Sequence, residues 1–80
     1  MITKQKAQVL ADSYKMEVLD VATLHDGNKI GCIADYIKLK IRNENKEYKV
    51  DIYLGSDYKI ANDKEFYIQS KINNALYSLQ

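Results

Sequence analysis

The chain has 80 residues and a mass of 9.3 kDa, which suits one domain over residues 1–80 whose core buries about 60–65% of the unfolded surface. Hydrophobic residues make up 46% and charged residues 29% of the chain, which excludes a disordered protein. The net charge of +1 excludes a global field that would draw the protein onto nucleic acid or anionic lipid.

Cysteine content and the lack of long apolar runs predict a cytoplasmic protein. The single cysteine, Cys32, allows no intramolecular disulfide and no thiolate metal cluster, which fits a reducing compartment. The first four residues lack the apolar core of a signal peptide. No apolar run approaches the roughly 20 residues that span a bilayer, so we expect no membrane partner.

The first predicted element is an amphipathic helix over residues 3–14. Thr3 is a typical helix N-cap, and Ile2 before it stands where the outer half of a hydrophobic staple packs. Apolar side chains then recur at the helical spacing i, i+3, i+4 and i+7. They are Ala7, Leu10, Ala11 and Tyr14.

Residues 17–24 are predicted to form the first strand, because β-branched and apolar residues dominate the segment. Val18 and Val21 also continue the apolar stripe of the first helix, so one helix reaching about residue 25 is the open alternative. The segment 25–28 contains Asp, Gly and Asn and predicts a tight turn, after which a strand resumes at Lys29.

Two features of this second strand predict irregular backbone. Gly31 inside a strand indicates a bulge or a close backbone approach. Asp35 is in phase with Ile33 and Ile37, so either the carboxylate is buried or the alternation shifts there. Because an unpaired buried carboxylate is costly, the sequence favours the shift.

The strongest signal in the chain is a hairpin over residues 36–54. Two segments with a period of two flank the polar turn 43–46. The apolar set of the first segment is Ile37, Leu39 and Ile41, and that of the second is Tyr48, Val50, Ile52 and Leu54. One face of this hairpin is therefore expected to be buried, because a lone two-stranded ribbon is marginal in water.

A second helix is predicted over residues 63–79, after a strand end at 55–57 and a connector at 58–61. Asn62 and Glu65 have the spacing of a capping box. The apolar stripe is Ile68, Ile72, Ala75, Leu76 and Leu79. The predicted fold is therefore an α+β two-layer sandwich: helix, three-stranded antiparallel meander, helix, with both helices on one face of the sheet.

Catalytic patterns are weak, and we expect no enzyme, no cofactor and no metal site. His25 with Cys32 has the residue types of a nucleophilic pair, and His25 with Asp20 and Asp26 those of a metal site. The ordinary interpretation is that Cys32 is a small buried apolar residue and that His25 lies in a turn. The chain also lacks the glycine-rich, nucleophile-elbow and zinc-binding motifs of common enzymes.

The most suggestive surface is the polar face of the hairpin, because residues 36–50 carry five cations and two carboxylates. Its candidate binding residues are Tyr36, Lys38, Lys40, Arg42, Lys49 and Tyr53. Tyrosine is enriched where proteins bind each other, whereas interleaved cations and aromatics also suit single-stranded nucleic acid. A merely solvated face, protected from aggregation by its lysines, is the third interpretation.

The sequence therefore favours a small non-enzymatic protein-binding module. Its size and composition suggest an inhibitor or regulator of a host protein complex, encoded by a phage or mobile element. The alternative function is a nucleic-acid-binding module that uses the basic and tyrosine-bearing face. A homodimer paired through an exposed strand edge is a further expectation that the sequence leaves open.

Overall fold

The computed structural model describes residues 2–29 and 32–80, and these form three helices and one three-stranded sheet. The strands are antiparallel in the order β1-β2-β3, and helices α1 and α3 pack on one face of the sheet. The predicted α+β sandwich is thus confirmed. In chain order the elements are α1 (Lys4–Asp12), β1 (Glu17–Lys29), β2 (Cys32–Asn43), β3 (Lys46–Tyr53), α2 (Ser56–Ile60) and α3 (Lys64–Ser78).

The core lies between the sheet and the helices, as the alternation of the hairpin predicts. Ile37, Leu39 and Ile41 of β2 are fully buried, and Ile72 and Leu76 of α3 lie in the same cluster. Burying each side chain of this size contributes about 1.5–3 kcal/mol. The other buried members are Ile2, Ala7, Ala11, Met16, Val18, Ile52, Leu54 and Ile68.

The end of α1 explains why the helix does not continue toward residue 25. The Met16 N–H donates to the Ala11 carbonyl and the Lys15 N–H to the Asp12 carbonyl, each at 3.1 Å. These two bonds form a Schellman motif, with Lys15 in the left-handed conformation at φ 58°. The strand predicted over residues 17–24 is therefore confirmed.

The side chain of Gln8 connects α1 to the beginning of β1, although the helical pattern predicts that this residue faces water. Gln8 Oε1 accepts the Val18 N–H at 2.8 Å, and Gln8 Nε2 donates to the Met16 carbonyl at 3.0 Å. Gln8 therefore satisfies main-chain groups on both sides of the junction between α1 and β1.

The turn predicted at 25–28 is wrong, because β1 continues to Lys29. Asp26 pairs with Ala34 and Lys29 pairs with Cys32. The register shifts between Asp26 and Lys29, so Gly27 and Asn28 form an irregularity inside the strand rather than its end. Ladder pairing with β2 overrides the local turn propensity here. The bulge predicted at Gly31 falls outside the described residues.

The phase shift predicted at Asp35 is also wrong. The pairing of β1 with β2 is unbroken from Asp20 and Lys40 to Asp26 and Ala34, so Asp35 stays on the helix side of the sheet. Its side chain is still 42% exposed, because it lies at the end of the sheet beyond the buried core. Because the Asp35 carboxylate stays in contact with water, the free-energy cost of burying an unpaired carboxylate, which favoured the phase shift, does not arise.

The C-terminal part agrees with the prediction except in two details. The short helix α2 begins in the predicted strand end at 55–57 and continues into the predicted connector at 58–61. The N-cap of α3 is Asp63, whose Oδ1 accepts the Phe66 N–H at 2.9 Å, and not Asn62. Glu65 forms an ion pair with Lys6 of α1 instead of a capping box, and this pair joins the two long helices.

The two ends of the sheet differ in how far the helices cover them, and we call them the covered end and the free end. At the covered end, near Val18 and Ile41, the sheet lies beneath buried helix residues. At the free end β3 stops at Tyr53, opposite Tyr36. Beyond Asp35, β2 pairs with β1 alone in the described part of the chain.

Candidate functional site

The structure brings the six predicted binding residues onto one face of the sheet, opposite the helices. Alternate positions along each strand share a face, and the register aligns Tyr36 with Tyr53 and Lys40 with Lys49. This open face carries Tyr36, Lys38, Lys40, Arg42, Lys49 and Tyr53. Their role in binding stays a prediction.

The cations of the open face have carboxylates as neighbours, which the hairpin sequence alone does not reveal. Asp20 of β1 lies opposite Lys40. Surface pairs of this kind add at most about 1 kcal/mol each, so their main effect is on the charge of the face. The close pairs are Arg42 with Glu17 at 3.3 Å and Lys40 with Glu47 at 3.9 Å, and Lys38 lies opposite Asp51.

Among the residues whose side chains the structure describes, four cations and four carboxylates share the open face. The excess positive charge of residues 36–50 is therefore balanced, partly by Glu17 and Asp20 of β1. The basic face that the sequence predicts is a mixed-charge face in the structure.

At the free end the open face becomes aromatic and apolar. The rings of Tyr36 and Tyr53 stack with centroids 5.2 Å apart. Leu24 lies opposite Tyr36 on the other side and is 39% exposed, while Tyr53 is 53% exposed. We call Leu24, Tyr36 and Tyr53 the aromatic row. The prediction omitted Leu24, because only the pairing of β1 with β2 places it beside the tyrosines.

The opposite side of the free end contains a shallow depression of 190 Å³. His25 Nδ1 lies 2.5 Å from Asp35 Oδ1 on its wall. Both side chains are well exposed, at 61% and 42%, so water competes with the interaction. The depression is lined by His25, Asp35, Leu54, Gly55, Ser56, Tyr58 and Lys59.

The structure separates His25 from Asp20, one of the partners that the sequence offered for metal binding, while the side chains of Cys32 and Asp26 lie outside the described part of the chain. Asp20 lies on the open face, whereas His25 and Asp35 lie on the helix side. Among the residues that the structure describes, no group of three or more metal-binding side chains occurs. Asp35 was missed as the partner of His25, because only the β1 and β2 register brings residues ten positions apart together.

Helix α2, which forms one side of the depression, is held to α3 by a hydrogen bond. The Tyr67 hydroxyl donates to Asp57 Oδ1 at 2.8 Å. This bond is the main reason that the pKa of Asp57 lies below its ordinary value of 3.8. Gly55 leaves room for the carboxylate, since a Cβ there would lie 2.7 Å from Asp57 Oδ1.

Comparison of the chain with models of protein families, with curated proteins and with solved structures found no match. No helix in the described ranges is long and apolar enough to cross a membrane.

Proposed function

We propose that the chain is a small non-enzymatic module that binds another protein through the open face of its sheet. The aromatic row is the observation that supports this proposal most strongly. Tyr36 and Tyr53 offer large apolar surfaces with polar tips, and Leu24 extends them with an aliphatic group. Tyrosine is enriched among the few residues that supply most of the binding energy at protein interfaces. In the described ranges no element covers this face.

The balanced charge of the open face favours a protein partner over nucleic acid. Affinity for a phosphate backbone comes from cations that replace its counterions. Here Arg42 and Lys40 lie within 4 Å of Glu17 and Glu47, and these carboxylates repel phosphates. Mixed charge beside an exposed apolar cluster resembles the polar rim next to the apolar part of a protein interface.

Exposure of the His25 and Asp35 pair supports a non-enzymatic role. Catalytic groups act most strongly in sites that exclude water, whereas more than a third of each of these side chains is exposed. The size and composition fit an inhibitor or regulator of a host protein complex encoded by a phage or mobile element.

The test compares tyrosines of similar exposure inside and outside the aromatic row. Immobilised wild-type chain, Tyr53→Ala and Tyr77→Ala are exposed to lysate of the source organism or its host, and retained proteins are quantified by mass spectrometry. Tyr77 is the matched control, because it is 67% exposed but lies on α3. A protein held by wild type and Tyr77→Ala, but about tenfold or more weakly by Tyr53→Ala, is the expected partner.

A second binding assay tests the rival function, nucleic-acid binding. Random-sequence single- and double-stranded oligonucleotides are titrated at low and physiological salt, with a Lys38→Ala, Lys40→Ala, Arg42→Ala triple variant beside wild type. Salt-sensitive binding that this triple variant loses would replace our proposal with the nucleic-acid function. Retention of the same proteins by Tyr53→Ala and by wild type would remove the aromatic row as the binding surface.

A further inference from the structure

The direction of the main-chain groups in β1 follows from one hydrogen bond at the free end. The Leu54 N–H donates to the Asp35 carbonyl at 2.9 Å, so the main-chain groups of Asp35 point toward β3. In antiparallel strands these groups alternate from side to side. The groups of Tyr36 therefore point toward β1, where they meet Leu24.

The same alternation turns the N–H and C=O groups of Val21, Thr23 and His25 away from the sheet, because the register is unbroken there. No hydrogen bond from any described residue reaches them on that side. The outward N–H of Val18 differs, since Gln8 accepts it. The outer edge of β1 is therefore capped at its beginning, and from Val21 to His25 it has no partner among the described residues.

The two edges of the sheet have different protection against pairing. Outward main-chain positions on β3 belong to Glu47, Lys49, Asp51 and Tyr53, and charged side chains at an edge discourage added strands. The β1 segment 21–24 reads Val-Ala-Thr-Leu and contains no charge, lysine or proline. Natural monomers rarely leave an edge of this composition unprotected.

We infer that β1 is a self-pairing edge, along which two copies of the chain join antiparallel strands into one continuous sheet. Free main-chain donors and acceptors in a row fit a β-strand better than any other occupant. The uncharged segment 21–24 is self-complementary under a two-fold axis, so a second copy supplies a suitable strand.

Charge selects the register of this pair. With the two-fold axis at Ala22, Val21 faces Thr23 of the second copy and Asp20 faces Leu24. An axis at Thr23 would instead bring Asp20 opposite Asp26, two positions of like charge. The axis therefore passes through Ala22. The bond from Gln8 to Val18 ends the free edge on one side, so about four main-chain hydrogen bonds form and the dimer is weak.

Substitutions at Ala22 test the inference, because this position would face itself across the axis. Analytical ultracentrifugation of the full wild-type chain from ~10 μM to ~1 mM is expected to show a shift from monomer to dimer mass. Ala22→Lys and Ala22→Glu are each expected to stay monomeric, since they place like charges in contact. Asn45→Lys adds the same charge at the exposed β2 and β3 turn and should leave the dimer intact.

An equimolar mixture of Ala22→Lys and Ala22→Glu gives the sharper result, because opposite charges then meet across the axis. The mixture should return to dimer mass although neither variant dimerises alone. Circular dichroism of each variant shows whether it is folded. A monomeric wild type at every concentration, a dimer that survives in Ala22→Lys, or a mixture that stays monomeric would each overturn the inference.

Amide hydrogen exchange of the wild type identifies the edge independently of any substitution. Exchange at Val21 and Thr23 should slow as concentration rises, while exchange at Lys49 and Asp51 on the other edge should not. Protection that appears at Lys49 and Asp51 instead would assign the pairing to β3 and contradict the proposed edge.

Discussion

The covered and free ends of the sheet share the strands β1 and β2, yet their exposed surfaces differ. At the covered end Leu39 and Ile41 are fully buried, because α1 and α3 complete a second layer above them. At the free end Leu24 and Tyr53 keep 39% and 53% of their surface in water, because they lie on the open face, which no described helix covers. Apolar character alone therefore does not decide burial. The face on which a residue lies, and whether the second layer covers that face, decide which apolar residues stabilise the fold and which are exposed.

The largest predicted effect contrasts two leucines, one from each end. Leu39→Ala should lower the free energy of unfolding by about 3 kcal/mol, because it leaves a cavity in the centre of the core. Leu24→Ala should cost less than about 1 kcal/mol, since the side chain is already partly hydrated. Urea denaturation followed by circular dichroism measures both. Equal losses would show that the free end belongs to the stabilising core.

The covered end is also the part that the sequence predicted well. Helical spacing identified Ala7 and Ala11 in α1 and Ile72 and Leu76 in α3, and all four are buried. Helix residues that pack against the sheet recur every three or four positions. The sequence alone therefore reveals them. The hairpin alternation likewise placed the six candidate residues on one face.

The free end was predicted poorly, because its arrangement depends on pairing between distant residues. Local composition favoured a turn at 25–28, while the ladder extends β1 to Lys29. The position of Leu24 beside Tyr36, and of Asp20 beside Lys40, follows from a register shift between Val18 and Asp20. No periodicity in the sequence marks that shift, so the aromatic row and the charge balance of the open face emerge only in the structure.

A smaller effect of opposite sign is predicted where α1 ends at the covered end. Lys15 has φ 58°, a conformation in which glycine is not strained. Lys15→Gly should therefore raise the free energy of unfolding by about 0.5–1 kcal/mol. Lys15→Ala is the matched control, because it removes the same charge but keeps the Cβ, and it should not stabilise. Thermal and urea unfolding of both variants measure this, and equal stability of the two would contradict a left-handed residue here.

The smallest predicted effect concerns the bond that connects the free end to the helices. The pKa of Asp57 is lowered chiefly by the Tyr67 hydroxyl. The stabilisation from this carboxylate is therefore present above the ordinary pKa of 3.8 and is lost as pH falls through the lower pKa of the folded protein. Helix α2 should stay attached at neutral pH and loosen only in strong acid.

Tyr67→Phe isolates that bond, because it removes the hydroxyl and keeps the ring. The pKa of Asp57, followed by NMR titration of its carboxyl carbon, should rise toward 3.8 in this variant. At neutral pH the amides of α2 should exchange faster with solvent, while those of Leu39 and Ile41 stay protected. Asp57 is exposed, so global unfolding should change little. Faster exchange at both ends would mean that α2 supports the whole core, and the two ends of the sheet would then not be energetically separate.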